Sequence, residues 1–370
     1  MPLRDPSGGV DDATAPSAAE IATPATAERF YHLLRSLPGR GSEVLAAVNG
    51  LFGDELAHRG SSLAVPMSFR TCDGQEVSLE RKALATTLPQ VSGRLCVLVH
   101  GLMSTESMWG FPARPDLTYG ELLARDRGLT PLYVRYNTGR RISTNGRELA
   151  SMLRALVAEW PVRVREIDLI GHSMGGLVVR SACHYGSTSA TLGDRARLRR
   201  PWPSKVKRVV LLGVPNTGAS LEVIANQISE RLWSLPTPVT RLVGAGIDRR
   251  SEGIKDLRWG AVLDEDWLER DPASTQRPEL HPVRVPRRAQ YLVVAGSLTV
   301  NGAGGGQSVK QLLGDALVTP ASAEGRLHGG SHRSLFSRVT VRSCPKINHI
   351  ALANRPAVYD EIRDWWTDSQ

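Results

Sequence analysis

Apolar residues recur along this chain in two alternating rhythms. Short β-compatible runs lie at Leu95 to Val99, Leu132 to Tyr136, Ile167 to Ile170, Val206 to Leu212, Gln290 to Ala295 and Arg338 to Arg342. Between several of them the spacing lengthens to the helical period. Leu149, Met152, Leu153 and Leu156 share one face of a helix predicted over Glu148 to Trp160, and Ala357 to Trp366 predicts a closing helix. Strands that alternate with helices predict βαβ units and a mostly parallel sheet.

The flanks and one interior segment depart from this rhythm. Residues 1–26, rich in Ala, Asp, Ser, Pro and Gly, predict a disordered tail. Residues 27–60 predict a helical segment, with Phe30, Leu33, Leu34 and Leu37 and then Val44, Leu45, Val48, Leu51 and Phe52 at helical spacing. From residue 61 to 370 the alternating α/β region follows, opened by a hairpin in which Cys72-Asp73-Gly74-Gln75 turns between Met67 to Arg70 and Glu76 to Leu79. At about 216–288 the pattern turns helical, with Leu221, Ile224, Ile228, Leu232, Leu242 and Ile247 beside Trp233, Trp259 and Trp267. An insertion of that length between two sheet strands predicts a helical cap over the site, the alternative being a second packing layer.

Composition narrows the classes. A chain of 370 residues with 41% hydrophobic content can bury one large core or two smaller ones. Its net charge of +9 is concentrated at Arg195, Arg197, Arg199, Arg200, Lys205, Lys207 and Arg208, and at Arg284, Arg287 and Arg288. These clusters lack interleaved aromatics and a binding motif, so nucleic acid is not the expected partner. A solvated basic face fits them, with weak attraction to an anionic membrane surface as the lesser alternative. The four cysteines, Cys72, Cys96, Cys183 and Cys344, are scattered, and no disulfide framework or zinc site is indicated. Neither a secretion signal nor an apolar run of about 20 residues is present, which gives a cytoplasmic expectation.

The candidate chemistry centres on Gly171-His172-Ser173-Met174-Gly175-Gly176, where a β-compatible run ends and a helical one begins. A G-x-S-x-G spacing places the serine on a tight strand-to-helix turn that exposes its oxygen, with helix N–H groups beside it. Ser173 is therefore the candidate nucleophile. A base and an acid should appear at other strand ends on the same edge. His349 follows the last strand and is the candidate base, ahead of His328 and His332, whose H-x-x-x-H spacing lacks the helix and glutamate of a metal site. His100 ends a strand as well, but its place beside a bend fits loop fastening. Asp315 follows the Gln290 to Ala295 strand and is the candidate acid. Asp264, Asp266 and Asp271 lie among other charges, where solvation is the ordinary expectation, and Asp168 within a strand fits a role in the fold. The amides of Leu102, after the strand end Val99-His100-Gly101, and of Met174 are the candidate oxyanion donors.

With the elbow, the strand end Val99-His100-Gly101-Leu102, the segment Val210 to Gly218, the Tyr136-Asn137 pair and Gly314-Asp315-Ala316-Leu317-Val318, the chain resembles the lipase and esterase branch of the α/β-hydrolases. In particular it resembles the triacylglycerol lipases and the inositol-deacylase-like (PGAP-type) hydrolases. The resemblance spans about residues 93 to 370. It implies an α/β-hydrolase fold, a mostly parallel central sheet flanked by helices with a helical cap. It also implies hydrolysis of a small-molecule or lipid ester through an acyl-enzyme, without a cofactor, by Ser173, Asp315 and His349. Amide or thioester hydrolysis on the same residues and a catalytically silent binding protein are the alternatives. The acid loop departs from the family pattern at Ala316, where a second glycine is common.

Overall fold

The computed structural model describes residues 41–88, 90–188, 201–232, 251–269, 276–297 and 338–368. The predicted tail, the segment around Phe30 to Leu37, Asp271, Asp315, His328 and His332 lie outside them. In chain order the described elements are α1 (Gly41–His58), β1 (Ser68–Arg70), β2 (Glu76–Val77), α2 (Arg81–Thr87), β3 (Arg94–Val99), α3 (Tyr119–Arg127), β4 (Thr130–Arg135), α4 (Ile142–Glu159), β5 (Glu166–His172), α5 (Met174–Thr188), β6 (Val206–Leu212), α6 (Leu221–Leu232), α7 (Glu252–Trp259), β7 (Gln290–Ser297), β8 (Val339–Pro345) and α8 (Pro356–Asp368).

The eight strands form one sheet in the order β2-β1-β4-β3-β5-β6-β7-β8. β1 and β2 pair antiparallel across the predicted Asp73-Gly74 turn, with Phe69 opposite Val77 and Gly74 at φ 85°. From β4 to β8 every neighbour is parallel. The apolar runs of β3, β5 and β6 are buried on both faces, as helices covering both sides of a parallel sheet require. One face packs on α1, α4 and α5 through Val48, Leu51, Leu153 and Leu177. The other packs on α3 and α8 through Tyr119, Leu123, Ile362 and Trp366. No described helix is long and apolar enough to cross a membrane.

Two predicted features change on inspection. α4 begins at Ile142 rather than Glu148, because Ser143, Asn145 and Gly146 are buried against their neighbours and hide the apolar signal. Arg208 does not belong to a solvated basic face. It is buried beside Asp168, with 3.6 Å between Nη1 and Oδ1, and its guanidinium lies 4.9 Å from the Trp366 ring centroid. Asp168 thus supports the fold, as its strand position predicts.

Burial pushes the Asp168 carboxyl up to about 7, with Arg208 pulling it back. The folded state therefore holds this proton more tightly than the unfolded chain does. Its contribution to stability is complete below about pH 4 and is lost as the pH rises through about 7. In urea denaturation, the stability of Asp168→Asn relative to wild type is expected to climb between pH 4 and 8, by up to about 4 kcal/mol. A difference that stays flat with pH would contradict this account. Close packing makes a second expectation. A Cβ at Gly171 would meet Gly176 Cα at 2.5 Å and N at 2.7 Å, both backbone atoms that cannot turn aside. Gly171→Ala is expected to cost about 1–3 kcal/mol or more in the same denaturation experiment.

Candidate active site

The site is built where β5 becomes α5. Ser173 has φ 51°, a left-handed backbone that a residue with a Cβ rarely adopts. Two backbone bonds hold it there: Ser173 N–H donates to Leu212 O at 2.9 Å, and Gly176 N–H donates to Ser173 O at 3.0 Å. The turn is possible because the helix start lies almost on the sheet. A Cβ at Gly175 would sit 2.3 Å from the carbonyl oxygens of both Val99 and His100, so only glycine fits. Met174, the first residue of α5, has no carbonyl four residues back within the helix to receive its amide.

The loop after β3 approaches the same turn. A Cβ on Gly101 would lie 3.1 Å from Ser173 Cβ. Within this loop Met103, at φ 56°, donates its amide to Thr138 Oγ1 at 3.2 Å, while Ser104 Oγ donates to Leu102 O at 3.1 Å. The Leu102 amide makes no backbone hydrogen bond among the described residues. His100 is wholly buried, stacked on Tyr136 at 4.5 Å, with Nδ1 2.9 Å from Gly101 O. Tyr136 Oη donates to His100 O at 2.9 Å. His100 thus belongs to the fastening of the loop, in keeping with its place beside the bend.

His349 reaches the site from the loop after β8, just ahead of a short 3-10 turn at Ile350–Ala353. Its ring lies over the end of β6, where a Cβ on Gly213 would be 2.7 Å from His349 Nδ1. Ser173, His349, Leu102 and Met103 line one narrow cleft, together with Gly101, His172 and Ile350, and Gln227 and Ile228 of α6. The structure thus brings Ser173, His349 and the Leu102 loop together, with the Met174 amide next in the chain. Asp315 lies outside the described residues. Its rival Asp266 is not solvated: its carboxylate is buried and accepts from the amides of Val262, Leu263 and His281 at 2.8–3.0 Å. Asp264 pairs with Arg147 at the surface of α4.

Two residues at the cleft escaped the sequence reading. His172 Nε2 donates to the carbonyl oxygen of His349 at 2.9 Å, and the two rings lie 4.8 Å apart. The same ring brings Nδ1 within 2.9 Å of where a Gly101 Cβ would be. One imidazole therefore touches the loop of His349 and the loop of Leu102 at once. The second is Gln227, a polar residue on the inward face of α6, between the buried Ile224 and Ile228. Its signal was a polar position inside an otherwise apolar helical stripe.

The chain is similar to several solved structures. The mature form of Bacillus licheniformis lipase BlEst2 matches at 19% identity and a TM-score of 0.44, over 73% of this chain and 90% of that one. The esterase RhEst1 from Rhodococcus sp. ECU1013 matches at 15% identity and a TM-score of 0.40, over 76% and 94%. Carboxylesterase CesB from Bacillus subtilis matches at 11% identity and a TM-score of 0.42, over 92% and 98%. A comparison with curated proteins gave no match. Residues 96–343 match the model of the alpha/beta hydrolase family, a span that runs from within β3 to within β8. The chain belongs to the alpha/beta hydrolase family.

Proposed function

We propose that this hydrolase cleaves carboxylic esters through an acyl-enzyme, with Ser173 as nucleophile. The observation that carries the reading is the left-handed Ser173 on its strand-to-helix turn, sharing one cleft with His349. A serine hydroxyl becomes a useful nucleophile only when a neighbouring base takes its proton. In the proposed cycle His349 accepts the Ser173 proton as the oxygen attacks the ester carbonyl. It returns that proton to the departing alcohol as the C–O bond breaks. Water then enters, gives a proton to His349, and its oxygen displaces Ser173 from the acyl group, the proton returning to the serine.

The charge that develops on the carbonyl oxygen needs donors that are already in place. The Met174 amide at the head of α5 and the Leu102 amide, in a loop whose next amide is committed to Thr138, are the proposed pair. Asp315 is the proposed acid that orients His349 and stabilises it when protonated. This chain order of serine, acid and histidine is the one the hydrolase fold uses.

Ser173→Ala is expected to abolish hydrolysis of a short-chain nitrophenyl ester and labelling by a fluorophosphonate, with thermal unfolding unchanged within a few degrees. Activity that survives in the variant would remove Ser173 from the mechanism. His172, as the residue that holds the His349 carbonyl, gives a finer test. His172→Leu is expected to lower kcat about 10-fold or more with a smaller change in KM, because a displaced base hinders the chemical step more than binding. His172→Gln keeps a donor for that carbonyl and should recover much of the loss. Equal kcat in all three proteins would show that the contact has no positioning role.

A further inference from the structure

Gln227 is nine-tenths buried, with 9% of its surface exposed, and lines the cleft that contains Ser173 and His349. Neither its side-chain oxygen nor its nitrogen has a hydrogen-bond partner among the described residues. Buried polar groups are almost always paired, and one left unpaired lowers stability without return unless something else occupies it. The helix it sits on does not require a glutamine. Ile224 and Ile228 on the same inward face are buried apolar residues, and a leucine or methionine would continue that face without an unpaired amide. Gln227 thus combines a local cost with a position at the wall of the reaction cleft.

We propose that Gln227 is a specificity-determining residue that binds a hydroxyl or amide group carried by the ester substrate close to its scissile carbonyl. A primary amide offers an acceptor oxygen and donor N–H groups side by side, so its natural complement is a group that both donates and accepts. A hydroxyl does so with one atom, a primary amide with its oxygen and the N–H on the same side. A plain hydrocarbon chain placed against Gln227 would leave both amide atoms unpaired and would be discriminated against for that reason. The preferred substrates are therefore esters with a polar substituent on the acyl or the alcohol side, rather than simple fatty acyl esters. This inference rests on the proposed role of Ser173 and adds to it the chemistry of what the cleft accepts.

The test compares matched ester pairs with wild type, Gln227→Leu and the near-isosteric Gln227→Met. On the acyl side the pair is nitrophenyl 3-hydroxybutyrate against nitrophenyl butyrate. On the alcohol side it is 2-hydroxyethyl butyrate against propyl butyrate, followed by acid release. Fluorophosphonate labelling of Ser173 reports that each variant keeps a folded site. The expected result is that wild type favours the hydroxylated member of at least one pair in kcat/KM, and that both variants reduce this preference about 5- to 150-fold. The pair that responds identifies the side of the ester that Gln227 reads. A wild-type preference that survives in both labelled variants, or no preference in either pair, overturns the proposal while leaving the esterase reading intact. A buried water satisfying the amide would produce that outcome. A wild-type protein that neither hydrolyses these esters nor takes the label overturns both.

Discussion

A residue with a β-carbon held at φ 51° is the constraint from which the rest of the site follows. Such a backbone costs on the order of 1–3 kcal/mol and persists only where the surroundings leave no alternative. Here the surroundings are two backbone bonds, to Leu212 O and from Gly176 N, and a helix start pressed against the ends of β3 and β5. Glycines at 171 and 175 make that approach possible, since any Cβ would meet backbone atoms at 2.3–2.5 Å. The strain on Ser173 is thus offset by the packing of a whole helix on a parallel sheet. In return the serine oxygen is presented at the carboxyl edge of the strands, beside amides at the head of α5.

Buried polar contacts hold the surrounding loops in place. Thr138 takes the Met103 amide, Tyr136 takes a carbonyl of the β3 loop, and Asn137 donates to Gly53 O of α1 at 2.8 Å. His172 fastens the loop of His349. The segment between β6 and β7 is anchored in the same way. Asp256 of α7 accepts from Arg141 at 2.6 Å and from the Ile142 amide at 2.9 Å, which ties that helix to the start of α4. Directional contacts of this kind fix where each loop lies, and a site assembled from several strand ends needs them, since hydrophobic burial alone is not directional.

The sheet was legible because its strands are short runs of Val, Leu and Ile between turn residues, and β6 matches its sequence expectation residue for residue. The elbow was legible because its glycines answer to a steric demand. Helices with little apolar content were not. α3 has only four buried residues, Tyr119, Gly120, Leu122 and Leu123, and is marked chiefly by Thr118 capping the Glu121 amide and Gly128 closing the helix at φ 64°. Asp266 was hidden for another reason. A carboxylate among charged neighbours reads as solvated, yet this one is buried by three backbone amides that no side-chain pattern reveals. His172 stood inside the very motif that drew attention to Ser173, but its partner is a carbonyl 177 residues away, and main-chain acceptors leave no trace in sequence.

In the proposed mechanism, reaction and selectivity come from different parts of this fold. The strand ends carry Ser173, His349 and the Leu102 and Met174 amides, which as the proposed catalytic set would treat any acyl group alike. α6 belongs to the segment that interrupts the alternation of strands and helices, and it brings Gln227 and Ile228 to the cleft. A sheet edge cannot change its geometry without disturbing the core behind it, whereas a helix that lines the cleft can change one side chain at small cost. A polar residue on the inward face of such a helix is therefore a natural place for substrate choice to be written. Among the described residues the Gln227 amide has no hydrogen-bond partner, while Asp256 and Asp266 in the same segment are bonded at 2.6–3.0 Å, and the proposed recognition role of Gln227 rests on that contrast.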